Sequence, residues 1–234
     1  MSRKNLLYIN FMNSIYSIKH NKFIDKIVIK KRLKISKIIN EYIQKFSLND
    51  ALDIGTTNDL ENESSNLLIK NLKNIKIFKS ISDQKINSKF FTKSLNQSIT
   101  VNLSKENIMN YSSDIVISNA TIEHVGNLEN QIKMIENIIN LTNKIFVITT
   151  PNKFFPIEFH TKLPFVHWFP KSIHRKILNL VGMNFFSKEE NLNIPSKNDL
   201  ISMLNNFKNI KYKILHINLL GIKSNFIIIG EIIK

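Results

Sequence analysis

The chain has 234 residues, 43% of them hydrophobic and 22% charged, with a formal net charge of +15 and no cysteine. That length suits one α/β domain with a sizeable core. Disulfides, thiolate metal sites and cysteine nucleophiles are excluded. No apolar run reaches the ~18 residues that a membrane-crossing helix needs. Met1 to Phe11 carries Arg3 and Lys4 but no long apolar core, so it does not read as a signal peptide, and a cytoplasmic location is expected. Lysines are spread along the chain, and the arginines are Arg3, Arg32 and Arg175. Nucleic-acid surfaces favour arginine forks among stacking aromatics, so no nucleic-acid partner is expected. The abundance of Lys, Asn and Ile reads as the mark of an AT-rich genome.

Residues 5–46 read as helical. Ile24, Ile27, Val28, Lys31, Ile35, Ile38, Ile39, Tyr42 and Phe46 recur at i, i+3 and i+4 with lysines between them. Such a stripe predicts a helical cap packed over the sheet or the ligand cleft. A basic amphipathic helix lying on a membrane is the alternative, giving a peripheral membrane contact.

The stretch Ala51-Leu52-Asp53-Ile54-Gly55-Thr56-Thr57-Asn58-Asp59 reads as a buried strand running into a polar turn. Gly55 falls where a backbone turns sharply or lets a ligand approach. In open α/β sheets ligands sit at the carboxyl ends of the strands. Neither G-x-G-x-x-G nor a P-loop is present, so a nucleoside ligand without phosphates fits better than a dinucleotide or nucleotide triphosphate. S-adenosyl-L-methionine heads that list. An Asp-x-Gly turn after a strand is more often ordinary structure, since turn chemistry alone would produce it.

A short helix is predicted over residues 66–72 and a second strand over 75–81, followed by Asp83, which suits ribose hydroxyls. Residues 99–103 read as a third strand with Asn102 near its end. A fourth strand, residues 113–120, has the near-continuous apolar run of a central parallel strand. It empties into Thr121-Ile122-Glu123-His124-Val125-Gly126. A helix over 128–141 and a fifth strand over 145–150 follow. Pro151 to Pro170 carries Pro156, Pro164, His160, His167 and many aromatic rings, and is too proline-broken for a regular element. It predicts a lid folded over the cleft at the ends of the first, fourth and fifth strands. Helices over 171–181 and 198–207 precede two consecutive strands, 211–222 and 225–233, around Lys223-Ser224. Strands alternating with helices and ending in a strand pair predict a doubly wound sheet with an antiparallel end.

Several blocks resemble one known superfamily. Leu52-Asp53-Ile54-Gly55 is similar to the first cofactor motif of class I S-adenosylmethionine-dependent methyltransferases, and residues 114–125 are similar to their fourth-strand motif. Thr149-Thr150-Pro151-Asn152, His167-Trp168-Phe169-Pro170 and Glu189-Glu190-Asn191-Leu192-Asn193 resemble a methyltransferase type 11-like branch. The chain departs from the superfamily at Thr57 and Asn58, where a second glycine is usual.

The resemblance implies a single Rossmann-like, doubly wound seven-stranded sheet with a final antiparallel strand pair. A helical cap over 1–46 would cover a methyltransferase domain over 47–234. It implies an enzyme using S-adenosyl-L-methionine, held by Asp53, Gly55, Thr56, Asp59, Asp83, Asn102, Ser118 and Asn119. His124 and Glu123 become the catalytic pair, with His124 the general base. Asn152, His160, His167 and Trp168 would bind the acceptor, a small molecule, sugar or lipid precursor methylated at oxygen. No H-x-x-x-H or similar spacing joins Glu123, His124, Glu158 and His160, so no metal is expected. An RNA methyltransferase and a non-catalytic partner subunit of the same fold are the competing readings.

Overall fold

The computed structural model describes residues 22–58 and 65–233, with side chains from residue 26 onward. Asp59, expected to bind cofactor, and residues 5–21 of the expected cap lie outside the described residues.

Seven strands form one sheet in the order β3-β2-β1-β4-β5-β7-β6. They are β1 (Asp50–Ile54), β2 (Ile77–Ser82), β3 (Lys93–Asn96), β4 (Ser113–Asn119), β5 (Thr142–Pro151), β6 (Ile210–Leu219) and β7 (Ile222–Ile232). Strands β1 to β5 run parallel. Strand β7 runs antiparallel between β5 and β6. Chain order reverses between β1 and β4, which is where open α/β sheets place ligands.

The central strands are buried on both faces, and their side chains alternate between two cores. Leu52, Ile54, Val116, Phe146, Ile148 and Ile228 face one core, completed by Met134, Ile135 and Ile138 of α4 (Leu128–Leu141) and Leu200 and Met203 of α6 (Lys197–Leu204). Ala51, Ile115, Ile117, Val147, Ile227 and Ile229 face the other. That core is closed by Ile35, Ile39 and Ile43 of α1 (Lys22–Phe46) and by Leu68 and Ile69 of α2 (Leu67–Lys70). Helices on both faces of a mostly parallel sheet make the doubly wound arrangement that the sequence predicts.

Local chemistry sets the helix starts. The Asn127 side chain accepts from the Asn130 amide at the head of α4. Ser196 and Asp199 form a reciprocal capping box on α6. Ser104 caps α3 (Lys105–Tyr111), a helix the periodicity did not reveal. The loop after β5 ends at α5 (Lys171–Leu180).

Two strand positions differ from the sequence reading. The third strand is Lys93–Asn96 and not 99–103. It lies at the sheet edge and only Leu95 among its side chains packs inward, so it carries no apolar signal. Ile99 is buried as a loop residue, which imitates one. The last two strands turn at Leu220-Gly221 and not at Lys223-Ser224. Both turn residues have positive φ (52° and 81°), the two-residue hairpin geometry that suits strand twist.

Candidate active site

Strand β1 delivers Asp53 and Gly55 to the switch point. Gly55 has φ +83°, and a Cβ there would meet Thr121 Oγ1 at 2.3 Å. Thr121 packing therefore already requires the glycine. Thr56 is buried, and its hydroxyl donates to Asp53 Oδ2 at 2.7 Å. The Ser82 hydroxyl at the end of β2 donates to the Thr56 carbonyl at 2.7 Å. Asn66 holds the turn from outside: the Thr57 amide donates to its Oδ1 at 3.1 Å, and its Nδ2 donates to the Thr57 carbonyl at 2.8 Å. Asn58 donates through Nδ2 to the Lys85 carbonyl and accepts at Oδ1 from the Asn87 amide. Thr57 and Asn58 thus lace the first turn to its neighbours where a second glycine is usual.

Burial pushes the Asp53 carboxyl up to about 6, against the Thr56 hydrogen bond and the nearby Arg32 charge. Asp83 follows β2 with its carboxylate exposed and without a hydrogen bond among the described residues. Asn102 is exposed and sits in a loop rather than at a strand end, its carbonyl accepting from Gln97 Nε2. Ser118 donates to the Ile54 carbonyl at 3.3 Å, and Asn119 Oδ1 accepts from the Thr149 hydroxyl at 2.7 Å. These bonds tie the ends of β1, β4 and β5 together.

Beyond β4 the chain takes one tight turn, Ile122–His124. The segment after Glu189 clamps it: Asn193 donates its amide to the Glu123 carbonyl and its Nδ2 to the Gly126 carbonyl. Gln131 of α4 bonds the carbonyls of Ile122 and Asn193. Glu123 is thereby fully buried at the strand mouth. One of its oxygens accepts from Thr150 at 3.1 Å, and the other, Oε1, has no hydrogen-bond partner among the described residues. Burial, the largest influence, pushes this carboxyl up to about 7.

His124 Nδ1 lies 2.7 Å from the Asn191 carbonyl and must donate to it, since a carbonyl only accepts. His160 Nδ1 lies 2.6 Å from Glu158 Oε1. The Glu158 carboxylate also accepts amide hydrogens from His160 and Thr161, and with the His160 charge they hold it down at about 2 despite its burial. His160 therefore donates Nδ1–H as well. The two Nε2 atoms then face each other at 3.0 Å, the rings nearly perpendicular at 85°. A hydrogen bond between them needs one proton. Burial opposes the charge on His160 but the Glu158 carboxylate outweighs it and raises this group, whereas burial, reinforced by the His160 charge, lowers His124 to about 4. Both shifts favour the shared proton on His160.

Above this cluster α1 adds Lys31 and Arg32. They line a cavity of about 100 Å³ together with Asn119, Ala120, Phe159 and His160. Burial lowers the pKa of both, that of Lys31 to about 8, and Glu123 opposes the shift. Lys31 Nζ also sits 4.3 Å from the Phe159 ring centre.

The structure thus brings Glu123, His124 and His160 together, and Asp53 with Thr56, Ser118 with Asn119. The remaining loop residues lie apart. Asn152 bonds the Lys223 carbonyl and the Phe154 amide. His167 Nε2 bonds the Phe155 carbonyl, facing a second small cavity beside Lys153 and His174. Trp168 packs edge-on against Phe165 and is half exposed. Of the aromatic loop, the Glu158–His160 part covers the cleft and the Trp168 part does not line it. Sequence reasoning missed Lys31 and Arg32 as cleft residues. A lysine inside an otherwise apolar helical stripe was the signal available for Lys31.

No protein-family model and no curated protein matches the chain. Solved structures do. Magnesium protoporphyrin IX methyltransferase from Synechocystis PCC 6803, with bound SAH, superposes at a TM-score of 0.54 with 11% identity, covering 96% of this chain and 94% of its own. The plantazolicin methyltransferase BpumL, in complex with a triazolic desmethylPZN analog and SAH, gives 0.55 with 11% identity over 96% and 95%. N-methyltransferase NodS from Bradyrhizobium japonicum WM9, in complex with S-adenosyl-L-homocysteine, gives 0.54 with 7% identity over 87% of each chain.

The fold is that of class I S-adenosylmethionine-dependent methyltransferases.

A seven-stranded doubly wound sheet with an antiparallel final pair is what the sequence predicts, although the segment expected as the third strand, 99–103, is a loop and the last hairpin turns earlier than expected. No helix among the described residues is long and apolar enough to cross a membrane.

Proposed function

We propose that the chain is a methyltransferase that carries a methyl group from S-adenosyl-L-methionine to an oxygen of a small-molecule, sugar or lipid-precursor acceptor in the cytoplasm. One observation carries this reading. At the carboxyl end of β4, beside a cavity roofed by α1, a buried carboxylate with an unpartnered oxygen stands next to a hydrogen-bonded histidine pair.

The residues present fit the cofactor. Asp83, which has no hydrogen-bond partner among the described residues, suits the two ribose hydroxyls. Lys31 and Arg32 supply cations for a carboxylate, and Asn119 lines the same cavity. The bound cofactor supplies the methyl group on a sulfonium centre, a leaving group that needs no activation by the protein. The chain's own task is to position the acceptor, exclude water and take one proton.

Glu123 suits that last step. Its Oε1 has a free lone pair, and burial holds its pKa near neutrality, where a general base works best. His124 has both ring nitrogens engaged, so it acts by fixing His160 and the turn rather than by accepting the proton itself. Residues 1–46 act as a cap over a catalytic domain spanning 47–234.

Titration calorimetry with S-adenosylmethionine tests the reading directly. Binding of one equivalent supports it, and no heat at millimolar cofactor removes it. With an acceptor in hand, Glu123→Gln should lower kcat by about 100-fold or more, the upper part of what a positioned base contributes.

A further inference from the structure

We propose that Glu123, His124 and His160 form a divalent metal site, with Glu158 and the Asn191 carbonyl as the groups that orient its histidines. A ligand atom from each of the three residues lies within 4.8 Å of the other two. Three features beyond proximity point to an ion.

The first is the direction of the rings. Each histidine donates Nδ1–H to a fixed oxygen, the Asn191 carbonyl for His124 and the Glu158 carboxylate for His160. Metal-bound histidines are held in this way, one nitrogen donating to a carbonyl or carboxylate while the other binds the ion. Both Nε2 atoms converge as a result. Their 3.0 Å separation is close to the ~3.3 Å span of two nitrogens bound at ~2.05 Å on a tetrahedral ion.

The second is the free oxygen of Glu123. It belongs to a fully buried carboxylate, and a buried polar atom without a partner is costly unless something occupies the place beside it. Thr150 fixes the other oxygen, so the carboxylate is already oriented.

The third is the chemistry of the ligand set, in which two imidazoles and one carboxylate converge. Imidazole with one carboxylate suits zinc and its first-row neighbours better than magnesium or calcium, whose ligands are oxygens. Three protein ligands leave a position open on the cavity side, as catalytic sites require.

This extends the methyl-transfer reading and in that part rests on it: the open position takes the acceptor oxygen. An ion there would lower the pKa of the acceptor hydroxyl so that its proton passes to water, the resulting alkoxide taking the methyl from the sulfonium, and Glu123 would serve as ligand instead of base. Lys31 and Arg32 face the same carboxylate and oppose a high affinity, so the ion is exchangeable.

The test uses the 234-residue chain without a histidine tag, stripped with chelator, and cobalt(II) or zinc(II) alone as probe. One equivalent of cobalt should bind, with the intense visible absorption of a four- or five-coordinate site. His124→Ala and His160→Ala should each weaken binding by at least 100-fold. Glu158→Gln, which keeps its shape, should weaken it by about 10–100-fold with the circular dichroism spectrum unchanged. Failure to bind, or binding that survives both histidine substitutions, overturns the site. Cofactor titration on the stripped chain separates the two proposals: cofactor binding without cobalt binding sinks the metal alone, and cobalt binding without cofactor binding sinks the methyl-transfer reading and leaves the site standing.

Discussion

Gly230 on β7 lies directly across from Phe146 on β5, and the Phe146 ring occupies the space that a side chain on Gly230 would take. A Cβ built there would come within 2.0 Å of the ring. Gly230→Ala should therefore cost about 1–3 kcal/mol as overpacking of a close-packed core, read from urea unfolding. The double variant with Phe146→Leu should cost less than the sum of the two single changes. Strict additivity would show that the contact does not limit the fold.

Gly55 makes two separate demands, a left-handed backbone and room for Thr121. Gly55→Ala should destabilise by about 2 kcal/mol, combining the positive-φ penalty with the clash. Adding Thr121→Ala should restore only the steric share. Full recovery would mean that the backbone conformation carries no strain.

Asp53 should make stability depend on pH in the sense opposite to most carboxylates. Its value is 3.8 when exposed and about 6 in the fold, so between those values the folded state holds the extra proton. Stability from this group is complete below pH 3.8 and is lost as pH rises through 6. The loss is at most about 3 kcal/mol, from a shift of roughly two pH units at 1.36 kcal/mol each. Asp53→Asn should remove that slope and leave the protein more stable than the native chain at pH 7. Urea midpoints measured from pH 4 to 7.5 decide it; parallel curves for the two proteins would refute the assignment.

Asn66 should matter beyond its own helix. Its side chain both accepts from and donates to Thr57, and it sits at φ 54°, a conformation asparagine tolerates better than most residues. Asn66→Ala should lose about 1–3 kcal/mol, leaving a half-buried amide and carbonyl without partners. Asn66→Gly, free of the backbone penalty, should lose less. Equal losses would show that the hydrogen bonds and not the conformation dominate.

Strands β1, β4 and β5 were readable from the sequence because both their faces are buried, which writes a continuous apolar run. Strand β3 was unreadable for the inverse reason, since an edge strand of Lys93-Ser94-Leu95-Asn96 needs no such run. The Glu123-His124 pair was legible as a motif at the end of β4. Its meeting with His160 was not, because 36 residues separate the two histidines and only the folded loop after β5 brings them to 3.0 Å. Glu158 drew notice only as a weak metal candidate, yet its bond to His160 within one loop settles which nitrogen of that ring faces inward.

Helix α1 is anchored unequally along its length. Ile35, Ile39 and Ile43 are sunk into the sheet, while from Lys26 to Leu33 the helix is only partly covered and touches the cleft through Val28, Lys31 and Arg32. Its first described half can therefore fray without disturbing its second, and molecules can reach the enclosed space by local melting at a fraction of the global unfolding cost. Amide hydrogens of Ile39 to Phe46 should exchange only with complete unfolding, and those of Lys26 to Lys30 far sooner. A ligand that bridges Lys31 and Arg32 to the strand ends would close that difference, so the helix would report occupancy through its own exchange rate.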